Sequence, residues 1–118
     1  MTNYQLVREF HQAFRQGLDE HWERFSYLDN LRRALVKEET CEVFSASDKE
    51  NLLKELVDLL YVTYGYAATF GLDVDEAFWR VHKSNMSKLG DDGKPIYRDD
   101  GKVLKGPNYE PPYLKDLV

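Results

Sequence analysis

Residues 28–42, LDNLRRALVKEETCE, and residues 52–66, LLKELVDLLYVTYGY, decide how this chain folds. In the first stretch Leu28, Leu31 and Leu35 recur at helical spacing and define one apolar face. Glu38, Glu39 and Glu42 fall inside the same arc, about 100° wide. In the second, Leu52, Leu56, Leu59, Val62 and Tyr66 define the apolar face. Glu55 falls between Val62 and Tyr66 on that wheel, and Asp58 lies roughly 40° outside the stripe. Two helices therefore carry an i, i+3 carboxylate pair on or beside the face that burial claims: Glu39/Glu42 and Glu55/Asp58. An unpaired buried carboxylate costs several kcal/mol, and clustered carboxylates repel one another. Protonation or a cation relieves that cost, and hard divalent ions such as Mg²⁺ and Mn²⁺ take oxygen ligands. Convergence of the four acids from adjacent antiparallel helices makes such a site.

The rest of the chain reads outward from this pair. A first helix is expected over about Asn3–Gln16, with Tyr4, Val7, Phe10, His11, Phe14 and Leu18 on one face. His11 within that stripe is either a satisfied core residue or part of a base pocket, in which Phe10, His11 or Phe14 stacks on a nucleobase. Residues 18–25 read as a loop or a short extra turn. The second helix is expected over about Tyr27–Phe44. The third starts at a capping box, Ser47-Asp48-Lys49-Glu50, and ends near Phe70, with Gly71 suited to the left-handed position after it. The fourth starts at a second box, Asp73-Val74-Asp75-Glu76, and runs to about Leu89. Its apolar face is Val74, Ala77, Phe78 and Val81, and Asn85 and Lys88 share that arc as an amide and a cation suited to phosphate.

From Gly90 the composition changes to a glycine-containing stretch that holds all four prolines. Residues 95–104 read as a small hairpin around Asp99-Asp100-Gly101, or as an extended arm on a partner subunit. The expectation is one all-α domain over 1–118, a four-helix bundle over 1–89 and a hairpin or extended tail over 90–118. Thin bundles of this size expose apolar surface that oligomers cover, so a homo-oligomer is expected.

Composition limits the function classes. With 42% apolar and 31% charged residues, the 118-residue chain is neither a disordered nor a membrane sequence. The longest uncharged run, Leu59–Leu72, falls short of the ~20 residues of a span. A net charge of −5 without a basic run disfavours nucleic acid as partner. The single cysteine, Cys41, forms neither an internal disulfide nor a zinc site alone. The opening Met1-Thr2-Asn3-Tyr4 leads into a charged amphipathic stretch rather than a secretory signal, so a cytoplasmic location is expected. Glu-x-x-His pairs and glycine-rich phosphate loops are absent.

Glu38-Glu39-Thr40-Cys41-Glu42 is an EExxE motif and Glu55-Leu56-Val57-Asp58 an ExxD motif, with twelve residues between them. With Val7–Phe14, Val81–Leu89, Asp92–Pro95 and Gly101–Pro107, these resemble the MazG-like all-α nucleoside triphosphate pyrophosphohydrolases. Within them, the chain is similar to the phosphoribosyl-ATP pyrophosphohydrolase-like branch of bacteria and phages. The resemblance implies hydrolysis of an NTP or dNTP to the monophosphate by a metal-activated water, with two or three Mg²⁺ or Mn²⁺ ions per site. It implies dimers, often paired into tetramers, with sites between neighbouring subunits. It implies Glu39, Glu42, Glu55 and Asp58 as metal ligands, and Asn85 and Lys88 as substrate contacts. Glu38 joins as a ligand or neighbour of the ligands, and Glu38 or Glu39 as the proton acceptor. Lys88 offsets leaving-group charge, with Lys54, Arg98 or Lys102 as helpers. A guanine deoxynucleotide is the favoured substrate, as in the MazZ type of phages that replace adenine by 2-aminoadenine. The alternatives are dCTP/dUTP, phosphoribosyl-ATP, or a non-catalytic nucleotide-binding oligomer.

Overall fold

A computed structural model describes all residues, 1–118. Four α-helices carry the fold: α1 (Asn3–Ala13), α2 (Tyr27–Phe44), α3 (Lys49–Thr69) and α4 (Val74–Met86), with a 3₁₀ turn at Lys115–Leu117. The only strand-like pairing is a single antiparallel bridge between Tyr97 and Val103. The chain divides into two compact units, Met1–Val74 and Asp75–Val118. No helix is long and apolar enough to cross a membrane.

In the first unit each helix starts at a side chain that satisfies a free amide. Thr2 and Gln5 form a reciprocal capping box at α1, and Ser26 accepts from the Asp29 amide at α2. At α3 the expected cap moves by one residue. Asp48 rather than Ser47 accepts, from the Asn51 amide at 2.8 Å, and the Asn51 side chain accepts from the Ser47 amide at 3.0 Å. Asp caps as well as Ser does, and with Asp48 as the cap the Asn51 side chain takes up the Ser47 amide as well. The α3 end follows expectation: Gly71 has φ +63°, and Leu72 N–H donates to Ala67 O while Gly71 N–H donates to Ala68 O. That pair of bonds is a Schellman motif. Helix α1 is shorter than its apolar stripe, and Phe14 is its C-cap rather than a helical residue. Residues 18–25 form an irregular linker, not a helical turn. Its Asp19 and Glu20 amides donate to Ala68 O and Thr69 O at the end of α3, and Asp19 pairs with Arg8 at 2.7 Å.

Four residues link α2 to α3, so the two pack as an antiparallel hairpin, and α1 lies against α3. The core holds Tyr4, Val7, Ala67, Ala68 and Phe70, with small residues letting the helices approach closely. Gly65 shows how closely: a Cβ there would lie 2.9 Å from His11 Nε2 and 3.4 Å from Arg32 Nη1. On α3 the apolar stripe is rotated from the expected one. Leu52 and Leu56 are exposed, whereas Glu55 is buried.

The second unit is α4 with the C-terminal segment strapped onto it. Ser84 Oγ donates to Glu110 O, the Glu110 amide donates to Ser87 Oγ, and Arg80 pairs with Asp116 at 2.6 Å. The expected hairpin is present: Arg98 N–H donates to Lys102 O, and Leu104 N–H donates to Ile96 O, around Gly101 at φ +87°. Helix α4 ends at Met86 rather than Leu89. Its expected apolar face is not covered within this unit: Phe78 and Val81 are exposed, and Ser84 is its buried residue.

One buried charge ties α2 to α3. Asp29 has no solvent exposure, accepts from Tyr66 Oη, and pairs with Arg33 at 2.9 Å. The Tyr66 hydrogen bond, and then Arg33, hold its carboxyl below the usual carboxylate range. Its folded pKa is lowered, so the stability it contributes is present above about pH 4 and is lost as pH falls through the lowered value. Asp29→Asn is expected to be less stable than wild type near neutrality. The gap is expected to narrow steadily toward pH 3 when urea unfolding is measured across that range.

Candidate metal centre and adjoining pocket

The α2–α3 seam brings Glu39, Glu55 and Asp58 together, with one carboxylate oxygen of each within 4.8 Å of the others. Glu55 is 5% exposed. Its Oε1 accepts from Asn51 Nδ2 at 3.2 Å and faces Lys54 Nζ at 3.4 Å. Its Oε2 is buried with no hydrogen-bond partner. The residue that closes the α3 cap therefore also orients the buried acid, because Asn51 serves both. Asp58 is half-buried and pairs with Lys54 at 2.9 Å. Lys54 lies at the edge of the cluster, and its ammonium is the one cation near these carboxylates. For Glu39, burial raises the pKa first, then the charges of Asp58, Glu55 and Glu38, with Lys54 pulling the other way. Three acids that repel one another, one with an orphaned oxygen, form an all-oxygen donor set that fits a hard divalent cation.

The other expected acids stand apart. Glu38 and Glu42 are exposed, and neither belongs to the cluster of three. In the last turn of α2, Cys41, Glu42 and Phe44 are exposed and Val43 is half-buried. Glu42 lies three residues beyond Glu39, within one turn of it on α2.

A second feature adjoins the first. Phe10, His11, Phe14, Gln16, Arg32, Leu35, Tyr61 and Val62 line a pocket of about 430 Å³. Leu35 is four residues before Glu39 on α2, and Val62 four residues after Asp58 on α3. In an antiparallel pair these steps run the same way, so the pocket lies one helical turn, about 5–6 Å, along the seam from the acids. Phe10 stacks on Phe14 with ring centroids 4.5 Å apart, and Tyr61 meets Phe10 edge-on at 5.5 Å. His11 is buried and bonded, as a satisfied core residue would be, and it also lines the pocket. Its Nδ1 lies 2.8 Å from Gly17 O and donates to it, and burial lowers its pKa. The ring is therefore neutral and Nε2 is an acceptor.

Sequence reading missed Arg32. It is 5% exposed, and its Nη2 donates to Gln16 Oε1 at 3.2 Å. Its Nε is buried without a partner, and burial, with no carboxylate to offset it, lowers its pKa. The available signal was position: Arg32 follows Leu28 by four residues and precedes Leu35 by three, inside the leucine arc. Asn85, Lys88 and Arg98 lie in the second unit. Asn85 is exposed, Lys88 is half-buried with its carbonyl accepting from Gly106, and Arg98 pairs with Asp100. Trp22 and Trp79 are exposed.

A strand-free helical fold that brings Glu39 of EExxE together with Glu55 and Asp58 of ExxD fits the MazG-like all-α class. Residues 7–85 match the phosphoribosyl-ATP pyrophosphohydrolase family, and the chain belongs to it. It is also 33% identical over 113 residues to "Uncharacterized protein L479" of Acanthamoeba polyphaga mimivirus, a match covering 88% of this chain and 42% of that protein. The chain thus spans about two fifths of the length of the curated relative it matches.

Removing the orphaned charge relieves the seam, so Glu55→Gln is expected to melt at or above the wild-type temperature in EDTA. Adding Mg²⁺ or Mn²⁺ is expected to raise the melting temperature of wild type and not of the variant. Equal metal-dependent gains in both would place the cation elsewhere.

Proposed function

We propose that this chain is a divalent-metal-dependent nucleoside triphosphate pyrophosphohydrolase that cleaves a (d)NTP to the monophosphate and pyrophosphate. The observation that carries this reading is the juxtaposition on one helical seam: a carboxylate cluster with an orphaned buried oxygen, one turn from an aromatic pocket of about 430 Å³. One end suits a triphosphate with its cations, the other a base stacked on Phe10 or Phe14. Family membership supports the same chemistry.

Glu39, Glu55 and Asp58 would hold the ion, with Glu42 as the fourth ligand of the family motif. When bound, a divalent ion supplies charge neutralisation at the phosphates and makes a water more acidic. The chain's own residues do the rest. Water oxygen adds to the α-phosphorus, the bond to the bridging oxygen breaks, and the water proton passes to Glu38 or Glu39. Lys54, already held by Asp58 and Glu55, is positioned to turn its charge to the phosphates. Lys88 and Asn85 keep their assignment from the family motif as substrate contacts, and Arg98 as a helper is engaged by Asp100 in its own hairpin.

A homo-oligomer, a dimer or dimer of dimers, is part of this reading. Leu53, Leu56, Val57 and Leu60 form an exposed apolar ridge along α3, of the kind that association covers. Guanine is the favoured base, with dCTP, dUTP and phosphoribosyl-ATP as the other substrates to assay.

A panel of eight NTPs and dNTPs with Mg²⁺ or Mn²⁺ is expected to release pyrophosphate from at least one, guanine nucleotides foremost. Glu39→Gln and Asp58→Asn are each expected to lower kcat by about 100-fold or more while the circular dichroism spectrum is retained. Full turnover in both variants would remove the mechanism. Nucleotide binding without any pyrophosphate release would make the chain a sensor instead.

A further inference from the structure

Two buried side-chain polar atoms in this molecule have no hydrogen-bond partner: Glu55 Oε2 in the acid cluster and Arg32 Nε beside the pocket. The first has an explanation in the cation site. The second calls for its own.

Arg32 is a buried cation whose one protein hydrogen bond, to Gln16, is to a neutral group. Its neighbour Asp29 is committed to Tyr66 and Arg33. Gln16 is also spent, since its Nε2 donates to Phe14 O at 3.2 Å while its Oε1 serves Arg32. An uncompensated guanidinium in an apolar setting costs several kcal/mol, and an acceptor supplied from outside offsets that cost. A guanidinium only donates, so the missing group is an oxygen or ring-nitrogen acceptor. Phosphate oxygens meet this description, but the pocket favours a base. Its walls are Phe10, Phe14, Tyr61, Leu35 and Val62, which stack on or pack against a flat ring and offer a phosphate nothing.

We propose that Arg32 is the base-selecting residue of this pocket and that it selects a purine bearing a 6-oxo group. The proposal rests on reading the pocket as the base site of the hydrolase. A 6-oxo purine presents adjacent acceptors at O6 and N7, the pair that a guanidinium engages, whereas a 6-amino purine puts a donor against a donor. Neutral His11, on the same wall, adds no competing cation, and its Nε2 can only accept. Gly65 is part of the device, because a side chain there would displace the His11 ring beside Arg32.

The test uses the 118-residue chain with Mg²⁺ and four deoxynucleoside triphosphates, those of guanine, hypoxanthine, adenine and 2-aminopurine. Hypoxanthine keeps the oxo edge without the 2-amino group, and 2-aminopurine keeps the 2-amino group without the oxo edge. For wild type, kcat/KM for the two oxo purines is expected to exceed that for the other two by roughly 10- to 100-fold. Arg32→Gln is expected to collapse this ratio to within about 3-fold, mainly through a higher KM for the oxo purines, and Arg32→Lys to retain part of it. No preference for oxo purines in wild type overturns the proposal without any variant, should Arg32→Gln fail to fold. An equal KM rise for all four nucleotides overturns it in favour of phosphate binding. Competition against the fluorescence of bound 2-aminopurine nucleotide gives the same ordering without turnover. Oxo-selective binding with no hydrolysis would sink the hydrolase reading and leave Arg32's role standing.

Discussion

The packing of α2 against α3 is governed by a carboxylate that has nowhere to go. Glu55 lies inside the seam with one oxygen satisfied by Asn51 and the other by nothing. Burial of that kind is destabilising, and Glu39 and Asp58 add repulsion to it. The seam therefore needs compensation, and the chain places it nearby: the Asn51 amide, the Lys54 ammonium, and the Asp29–Tyr66–Arg33 network farther along. The small residues of the α3 C-terminal half, Gly65, Ala67 and Ala68, give back close packing where the N-terminal half cannot. Stability and binding capacity are thus distributed along one helix, apolar at one end and acidic at the other.

The second unit is built on a different plan. Helix α4 buries little of its apolar face within the unit and is held instead by polar strapping, through Ser84, Ser87 and Arg80. Such bonds fix a segment's position with little buried area, and they are individually modest. Phe78, Trp79 and Val81 stay exposed, as does the α3 ridge in the first unit. Apolar surface of this extent is what association ordinarily covers.

Helical periodicity made much of this legible. The extent of α2, the end of α3, the left-handed glycine after it and the tail hairpin follow the expected boundaries, because long periodic segments and glycine punctuation are strong local signals. Three of the four expected ligand acids meet, since Glu39 and Glu55 share the inner arc with leucines and Asp58 flanks it. Glu42 and Glu38 do not, because a wheel assigns angle but not where along the helix a neighbour stops covering it. The α3 cap slid from Ser47 to Asp48 because two adjacent residues compete for one amide and a third, Asn51, decides between them. Arg32 escaped notice for a related reason: a charged residue beside a leucine stripe reads as a solvated one until a third helix closes over it.

The linker between α1 and α2 has a consequence of its own. It holds three non-glycine residues at positive φ, Arg15, Asp19 and Phe25, and supplies Gly17 and Gln16 as partners of His11 and Arg32. The acid cluster sits on α2 and α3 alone, whereas the adjoining pocket also takes one wall from a short helix and an irregular connection. Connections of this sort tolerate substitution far better than packed rods do. Exchanges in that connection can therefore reshape one wall of the pocket while the carboxylates beside it stay where they are.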